Sequence, residues 1–194
     1  MTEPAHTGTP SDDASVGMED SLPRVVASER IYDGRIIKVR VDEITLPDGR
    51  TALREVVDHP GAIVVAAVDD ENHVFLVEQY RHPIGRDLLE LPAGTLEPGE
   101  EPLACAKREL REEVGLEALR WTALPRFFSS PGFINESLYP FLAQDLSRVP
   151  TDPDDDEVIS VVRYPLAALL EHLDEIADAK TLATLLLVER VLLR

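Results

Sequence analysis

The sequence predicts a mixed α/β domain in layers, preceded by a small antiparallel β-sheet and an acidic tail. Three observations carry that prediction. Residues 62–68 form an unbroken apolar run, suited to a strand buried on both faces. Residues 103–114 carry apolar side chains at helical spacing. Residues 25–57 read as strands instead, with a Pro47-Asp48-Gly49 turn between two β-rich runs.

In chain order, residues 1–24 are rich in Thr, Ser, Asp, Glu and Pro. So few large apolar groups cannot offset the entropy of ordering, which predicts a disordered acidic tail. Residues 25–57 form an N-terminal β subdomain, and 58–194 the main domain. After the run at 62–68, the turn 69–72 leads to a returning strand at 74–79. Residues 80–87 read as a loop and 88–91 as a short strand. The helix over 103–114 has legible ends. Pro102 suits a first turn, where its missing N–H costs nothing, and Gly115 suits the left-handed position past the end. Strands follow at 121–128 and 137–143 around a loop at 129–136, then an acidic loop at 150–157 and a last strand at 158–164. Two helices, from Pro165 to about Ile176 and from about Lys180 to Leu193, close the chain. There is no internal repeat.

The net charge of −18 argues against general nucleic-acid binding, which needs a basic footprint. No apolar run approaches a membrane span, and the N-terminus lacks a basic-then-apolar leader pattern. The single cysteine, Cys105, rules out an intrachain disulfide framework and fits a reducing, cytoplasmic setting. A phosphate-bearing small molecule remains compatible with this charge, provided cations screen the site.

The helix over 103–114 sets the chemistry. Each helical residue advances about 100°, so with Glu109 at zero, Glu113 lies near +40° and Glu112 near −60°. Leu103, Ala106, Leu110 and Val114 gather at roughly +60° to +140°, a core face. One side is therefore apolar and the adjacent side carries three carboxylates. Like charges at this spacing repel, and a divalent cation among them relieves the repulsion.

From Gly94 the chain reads Gly, five residues, Glu100, seven residues, Arg108-Glu109, Leu110, any residue, Glu112-Glu113, any residue, Gly115, Leu116. This resembles the Nudix box, with no departure from its pattern. The alternative, a solvated amphipathic helix with i,i+4 ion pairs, leaves the Gly94 and Glu100 spacings unexplained. The resemblance implies a Nudix-type α/β/α sandwich with a mixed sheet, and hydrolysis of a nucleoside diphosphate linked to another moiety. It implies Mg²⁺ or Mn²⁺, hard cations that carboxylates hold. Glu109 and Glu113 would be the main ligands, Glu112 would assist, and the Ala93 carbonyl would complete the shell. Arg108 and Glu100 would pair to fix the loop against the helix.

Flanking residues are similar to the ADP-ribose pyrophosphatase branch: Arg54-Glu55-Val56-Val57, Gln79-Tyr80-Arg81, Glu90 to Gly94, and Pro131 fifteen residues past the box. The branch implies cleavage of ADP-ribose to AMP and ribose 5-phosphate. It implies phosphate binding by Arg81, with Arg86 nearby, and a substrate contact by Glu136. Arg54 would reach substrate across a subunit interface or simply pair with Glu55. Ile36 stands near the place of an adenine-stacking residue. Glu157, on the acidic loop, stands in the place of the general base; Glu136 or a box glutamate are the other candidates. A homodimer is the implied assembly. Rival substrates are another nucleotide sugar such as GDP-mannose, or a dinucleotide such as FAD or NADH. A non-catalytic ligand sensor is the rival from another class. Cys105 has no evident activating partner, and the histidines show no metal-ligand spacing.

Overall fold

The computed structural model describes residues 22–151 and 159–192. Most of the predicted tail, and the predicted acidic loop from 152 on, with Glu157, lie outside the described residues.

The centre is the predicted apolar strand, here β4 (Ala62–Val68), buried along its whole length. It pairs parallel with β10 (Ser137–Arg148) and antiparallel with β5 (His73–Arg81). β11 (Ile159–Pro165) and β8 (Leu116–Ala123) complete the path β11-β5-β4-β10-β8. Three short strands attach to it: β6 (Arg86–Glu90) on β5, β7 (Ala93–Thr95) on β4, and β9 (Phe127–Phe128) on β10. Alternation along β4 divides the core in two. Ala62, Val64, Ala66 and Val68 pack with Leu185 and Val188 of α3 (Ala179–Leu192). Ile63, Val65 and Ala67 pack with Cys105, Ala106, Leu110 and Val114 of α1 (Pro102–Val114). This is an α/β/α sandwich on a mixed sheet. Each large aliphatic side chain so buried stabilises it by about 1.5–3 kcal/mol.

A separate three-stranded antiparallel sheet precedes it: β1 (Arg24–Asp33), β2 (Lys38–Thr45) and β3 (Thr51–Asp58). Gly49 takes φ 83° in the predicted turn between β2 and β3, a conformation that favours glycine. The sheet is tied to the sandwich through the 129–136 loop. The Val57 N–H donates to the Phe133 carbonyl (2.8 Å), and the Asn135 N–H donates to the Val57 carbonyl (3.2 Å).

Several predicted boundaries shift. The expected loop at 80–87 shortens to 82–85, because β5 and β6 pair as a hairpin closed by a single 3₁₀ turn at His82–Ile84 and Gly85 in the left-handed region. The strand expected at 121–128 begins at Leu116, whose side chain is buried under α1, and a break at 124–126 splits off β9. The helix expected from Pro165 to Ile176 is only α2 (Leu166–Glu171); Pro165 still belongs to β11, and a 3₁₀ turn follows at Leu173–Glu175. On α1, Leu103 is 38% exposed while Cys105 is fully buried, so the core face lies nearer the carboxylates than the wheel predicts. Leu103 sits in the first turn of the helix.

Candidate active site

α1 begins at Pro102 and ends at Gly115, whose φ of 69° and N–H bond to the Arg111 carbonyl (3.0 Å) close the last turn. Its carboxylates grade from buried to exposed. Glu113 is buried, Glu109 nearly so, and Glu112 is about one-third exposed. Strand β7 runs against this face. The Ala93 N–H donates to Glu113 Oε2 (3.3 Å). At Gly94 a Cβ would stand 1.9 Å from Glu109 Oε1, so only glycine leaves room for that carboxylate.

Arg108 organises the group. Its Nε and Nη2 each donate to a Glu100 oxygen at 3.1 Å, and its Nη1 donates to Glu109 (2.8 Å) and Glu112 (3.0 Å). Glu100 in turn accepts the Glu97 N–H (3.0 Å), which folds the 96–101 loop back onto the helix. The Arg108 bonds hold the Glu100 carboxyl below the ordinary carboxylate range, and the same pair raises Arg108. The predicted pairing of Arg108 with Glu100 is thus present, and the arginine also neutralises two of the three box carboxylates. Burial, then the neighbouring Glu100 charge, pushes the Cys105 thiol up to about 12, so it is no nucleophile.

Among the described residues, no three His, Cys, Asp or Glu side chains converge on one point. The donor set nevertheless fits a hard divalent cation. Glu109, Glu112 and Glu113 offer oxygen alone, and the Glu109 carboxylate takes the place a Cβ of residue 94 would fill, against the backbone of β7. A cation there competes with Arg108 Nη1 for the same carboxylates.

Beside β7 lies a cleft of about 490 Å³, with Arg81, Glu136, Phe128 and Lys180 among its walls. Arg81 grips the buried Glu90 through Nε (2.8 Å) and Nη2 (2.7 Å), while Nη1 makes no bond among the described residues. Burial alone raises the Glu90 pKa, but Arg81 and Lys180 more than reverse it, leaving a carboxylate. Glu136 is placed by the 129–136 loop, and its Oε1 lies 3.7 Å from His59 Nδ1. His59 is held in place: its Nδ1 accepts the Gly61 N–H (3.1 Å), and its backbone N–H donates to the Asn135 side-chain oxygen (2.8 Å).

Other predicted residues do not line this cleft in a single chain. Arg54, exposed on β3, donates to its neighbour's Leu53 carbonyl (2.8 Å) and makes no bond to Glu55. Ile36 is exposed in the turn between β1 and β2. Arg86 stands opposite Arg81 across the β5–β6 hairpin, and Pro131 is exposed on the 129–136 loop. A larger hollow of about 720 Å³ on the outer face of α1 includes Arg108 and Glu112 but neither Glu109, Glu113 nor Ala93. Sequence reasoning assigned no role to Glu90, Asp178 or Lys180. For Glu90 a signal existed, an acid set between Leu89 and Leu91 on a strand. For Lys180, ninety residues away, there was none.

A largely buried acidic helix face against Gly94, next to a cleft with Arg81 and Lys180 as well as Glu136 and Asp178 in its lining, suits a phosphorylated ligand held through a divalent cation. The comparisons with known proteins name the family. The NUDIX domain matches residues 57–185, and the nucleoside diphosphate sugar hydrolase N-terminal domain matches 24–57. The chain is 41% identical over 168 residues to an ADP-ribose pyrophosphatase of Bacillus subtilis, covering 84% of this chain and 91% of that one. It is 40% identical over 162 residues to a methanol dehydrogenase activator of Bacillus methanolicus, covering 81% and 88%. A solved structure of an ADP compounds hydrolase superposes with a TM-score of 0.79 at 25% identity, covering 88% of this chain and 94% of that one. The chain belongs to the Nudix hydrolase family, whose members generally depend on divalent metal ions.

Proposed function

We propose that this chain hydrolyses ADP-ribose to AMP and ribose 5-phosphate, using Mg²⁺ or Mn²⁺. The observation that carries the reading is the seating of Glu109 and Glu113 against Gly94 and Ala93, beside a cleft walled by Arg81. The likeness to an ADP-ribose pyrophosphatase along nearly all of both chains supports the substrate. Glu109, Glu113, Glu112 and the Ala93 carbonyl hold the cation. When bound, it supplies charge neutralisation for the diphosphate and acidity for an attacking water. Arg81, clamped by Glu90, directs its remaining N–H groups at a phosphate oxygen. Arg108 fixes the helix glutamates and stays clear of the reacting atoms. Water adds to one phosphorus, the bridging P–O bond breaks, and the water's proton passes to Glu157.

Glu136 contacts the substrate from the 129–136 loop, Pro131 sets that loop's turn, and Arg86 adds positive charge at the cleft entrance. Arg54 and Ile36 reach substrate from the second subunit of a homodimer, which the exposed apolar residues of β1 support: Val25, Val26, Ile31 and Tyr32. The expected bounds of 24/25 and 57/58 each shift by one residue, because Arg24 opens β1 and Asp58 closes β3; the N-terminal β subdomain is 24–58, and the catalytic domain follows it. The lone, buried Cys105 supports a cytoplasmic setting; among the described residues, no helix is long and apolar enough to cross a membrane.

The test is a Mg²⁺-against-Mn²⁺ screen of ADP-ribose, GDP-mannose, FAD and NADH, with products identified. ADP-ribose should rank first and give AMP with ribose 5-phosphate. A rank far below the others overturns the substrate while leaving the family in place. Glu157→Gln should slow turnover with metal affinity kept; an unchanged rate moves the base to Glu136 or a box glutamate.

A further inference from the structure

We propose that Lys180 is a second substrate-binding cation, paired with Arg81 across Glu90 to clamp the diphosphate in the cleft beside β7. This rests on the hydrolase reading above and extends it to a residue outside the Nudix box and its flanks. Lys180 projects from the first turn of α3 to Glu90 Oε2 and to Asp178 Oδ1 (3.0 Å). It lines the same cleft as Arg81, Ala93 and Gly94.

Two features distinguish it from a strut between helix and sheet. First, it stands in the cleft lining between the small residues Ala179 and Ala183, and its side chain, held by Glu90 and Asp178, still keeps 17% of its surface exposed. Second, the nearby acids are already committed. Glu90 is 1% exposed and receives both oxygens' bonds from the Arg81 fork. Asp178 caps α3, its Oδ2 accepting the Thr181 N–H (2.9 Å) and hydroxyl (2.6 Å). The Thr181 hydroxyl also accepts the Leu91 N–H (2.9 Å), which ties the cap to the strand segment leading into β7. Glu90 thus sets both cations at fixed positions; Lys180 keeps one N–H and Arg81 its Nη1 group for a second acceptor. A diphosphate supplies such acceptors with negative charge. Glu90 is accordingly a positioning residue and Lys180 a binding residue.

The experiment compares Lys180→Met and Lys180→Arg with wild type at saturating Mn²⁺. It measures kcat and KM for ADP-ribose, the affinity for ADP by calorimetry, and thermal melting. In Lys180→Met, KM should rise about tenfold and ADP affinity fall about tenfold, the size of one lost charged hydrogen bond. Its kcat should stay within about threefold, and Lys180→Arg should restore most of the KM. Unchanged KM and ADP affinity in folded Lys180→Met overturn the proposal, and so does a melting point lowered with KM unchanged, the mark of a strut. Should Lys180→Met not fold, Lys180→Gln takes its place under the same criteria. ADP binding separates the two readings. A wild type inert toward ADP-ribose defeats the substrate reading alone, and the ADP affinities still decide for or against Lys180.

Discussion

The two sheets of this molecule are held by different forces. In the eight-stranded sheet, Ile63 to Ala67 are completely buried between α1 and α3, and apolar burial makes a rigid platform. In the three-stranded sheet, β1 is exposed at every position. Polar pairs run through it instead. Ser28 donates to Asp42 (2.6 Å), Arg40 reaches both Asp42 and Asp58, and Arg30 donates to Asp58 (3.0 Å). Catalytic carboxylates need positions fixed to within about half an ångström, and they stand on the buried platform. The ion-paired sheet leaves Val25, Val26, Ile31 and Tyr32 of β1 exposed.

The largest expected difference between the sheets is in stability. Ile63→Ala should destabilise the sandwich by about 2–5 kcal/mol, measured by denaturant unfolding. Val25→Ala on β1 should cost under about 0.5 kcal/mol if the chain is alone. A larger cost that falls with dilution would show a second copy covering β1.

Gly94→Ala probes the platform at its closest approach. The added methyl meets the Glu109 carboxylate, so that side chain must leave its place. We expect about 1–3 kcal/mol of destabilisation and roughly a hundredfold loss of turnover. Retained activity would mean that Glu109 is not a ligand.

Arg108→Ala should cost about 10–100-fold in turnover or metal affinity, the range for a residue that orients ligands. It should also release Glu100, whose depressed pKa should return to the ordinary range in an NMR titration.

The smallest effect concerns pH. Arg40 holds the Asp58 carboxyl below its ordinary value, and Ser28 with Arg40 does the same for Asp42. Groups depressed on folding contribute their full stability above the unfolded value, about 4, and lose it as pH falls through the folded value. Amide exchange in 24–58 should therefore accelerate below about pH 4 while β4 stays protected. Equal loss in both sheets would contradict the contrast between them.

How much of this was legible in the sequence follows the same contrast. β4 could be read because an unbroken apolar run has few other uses, and α1 because Pro102 and Gly115 mark its ends. The box residues were legible through their spacing, and the Arg108–Glu100 pair is present as the family resemblance implies. What escaped was set by contacts distant in sequence. Lys180 meets Glu90 across ninety residues, and His59 is enclosed by Asn135 and Gly61. Local periodicity carries no trace of either. The burial of Cys105 in place of Leu103 depends on where β7 crosses the helix, again a tertiary matter.

The measurement that bears most directly on the cation site is turnover of ADP-ribose by Glu113→Gln beside wild type, in Mg²⁺ and in Mn²⁺. Glutamine keeps the shape and removes the charge at the most buried carboxylate of α1. Turnover should fall by about 10³-fold or more, with thermal melting still cooperative. Full activity in a folded Glu113→Gln protein would contradict the assignment of this helix as the metal-binding centre.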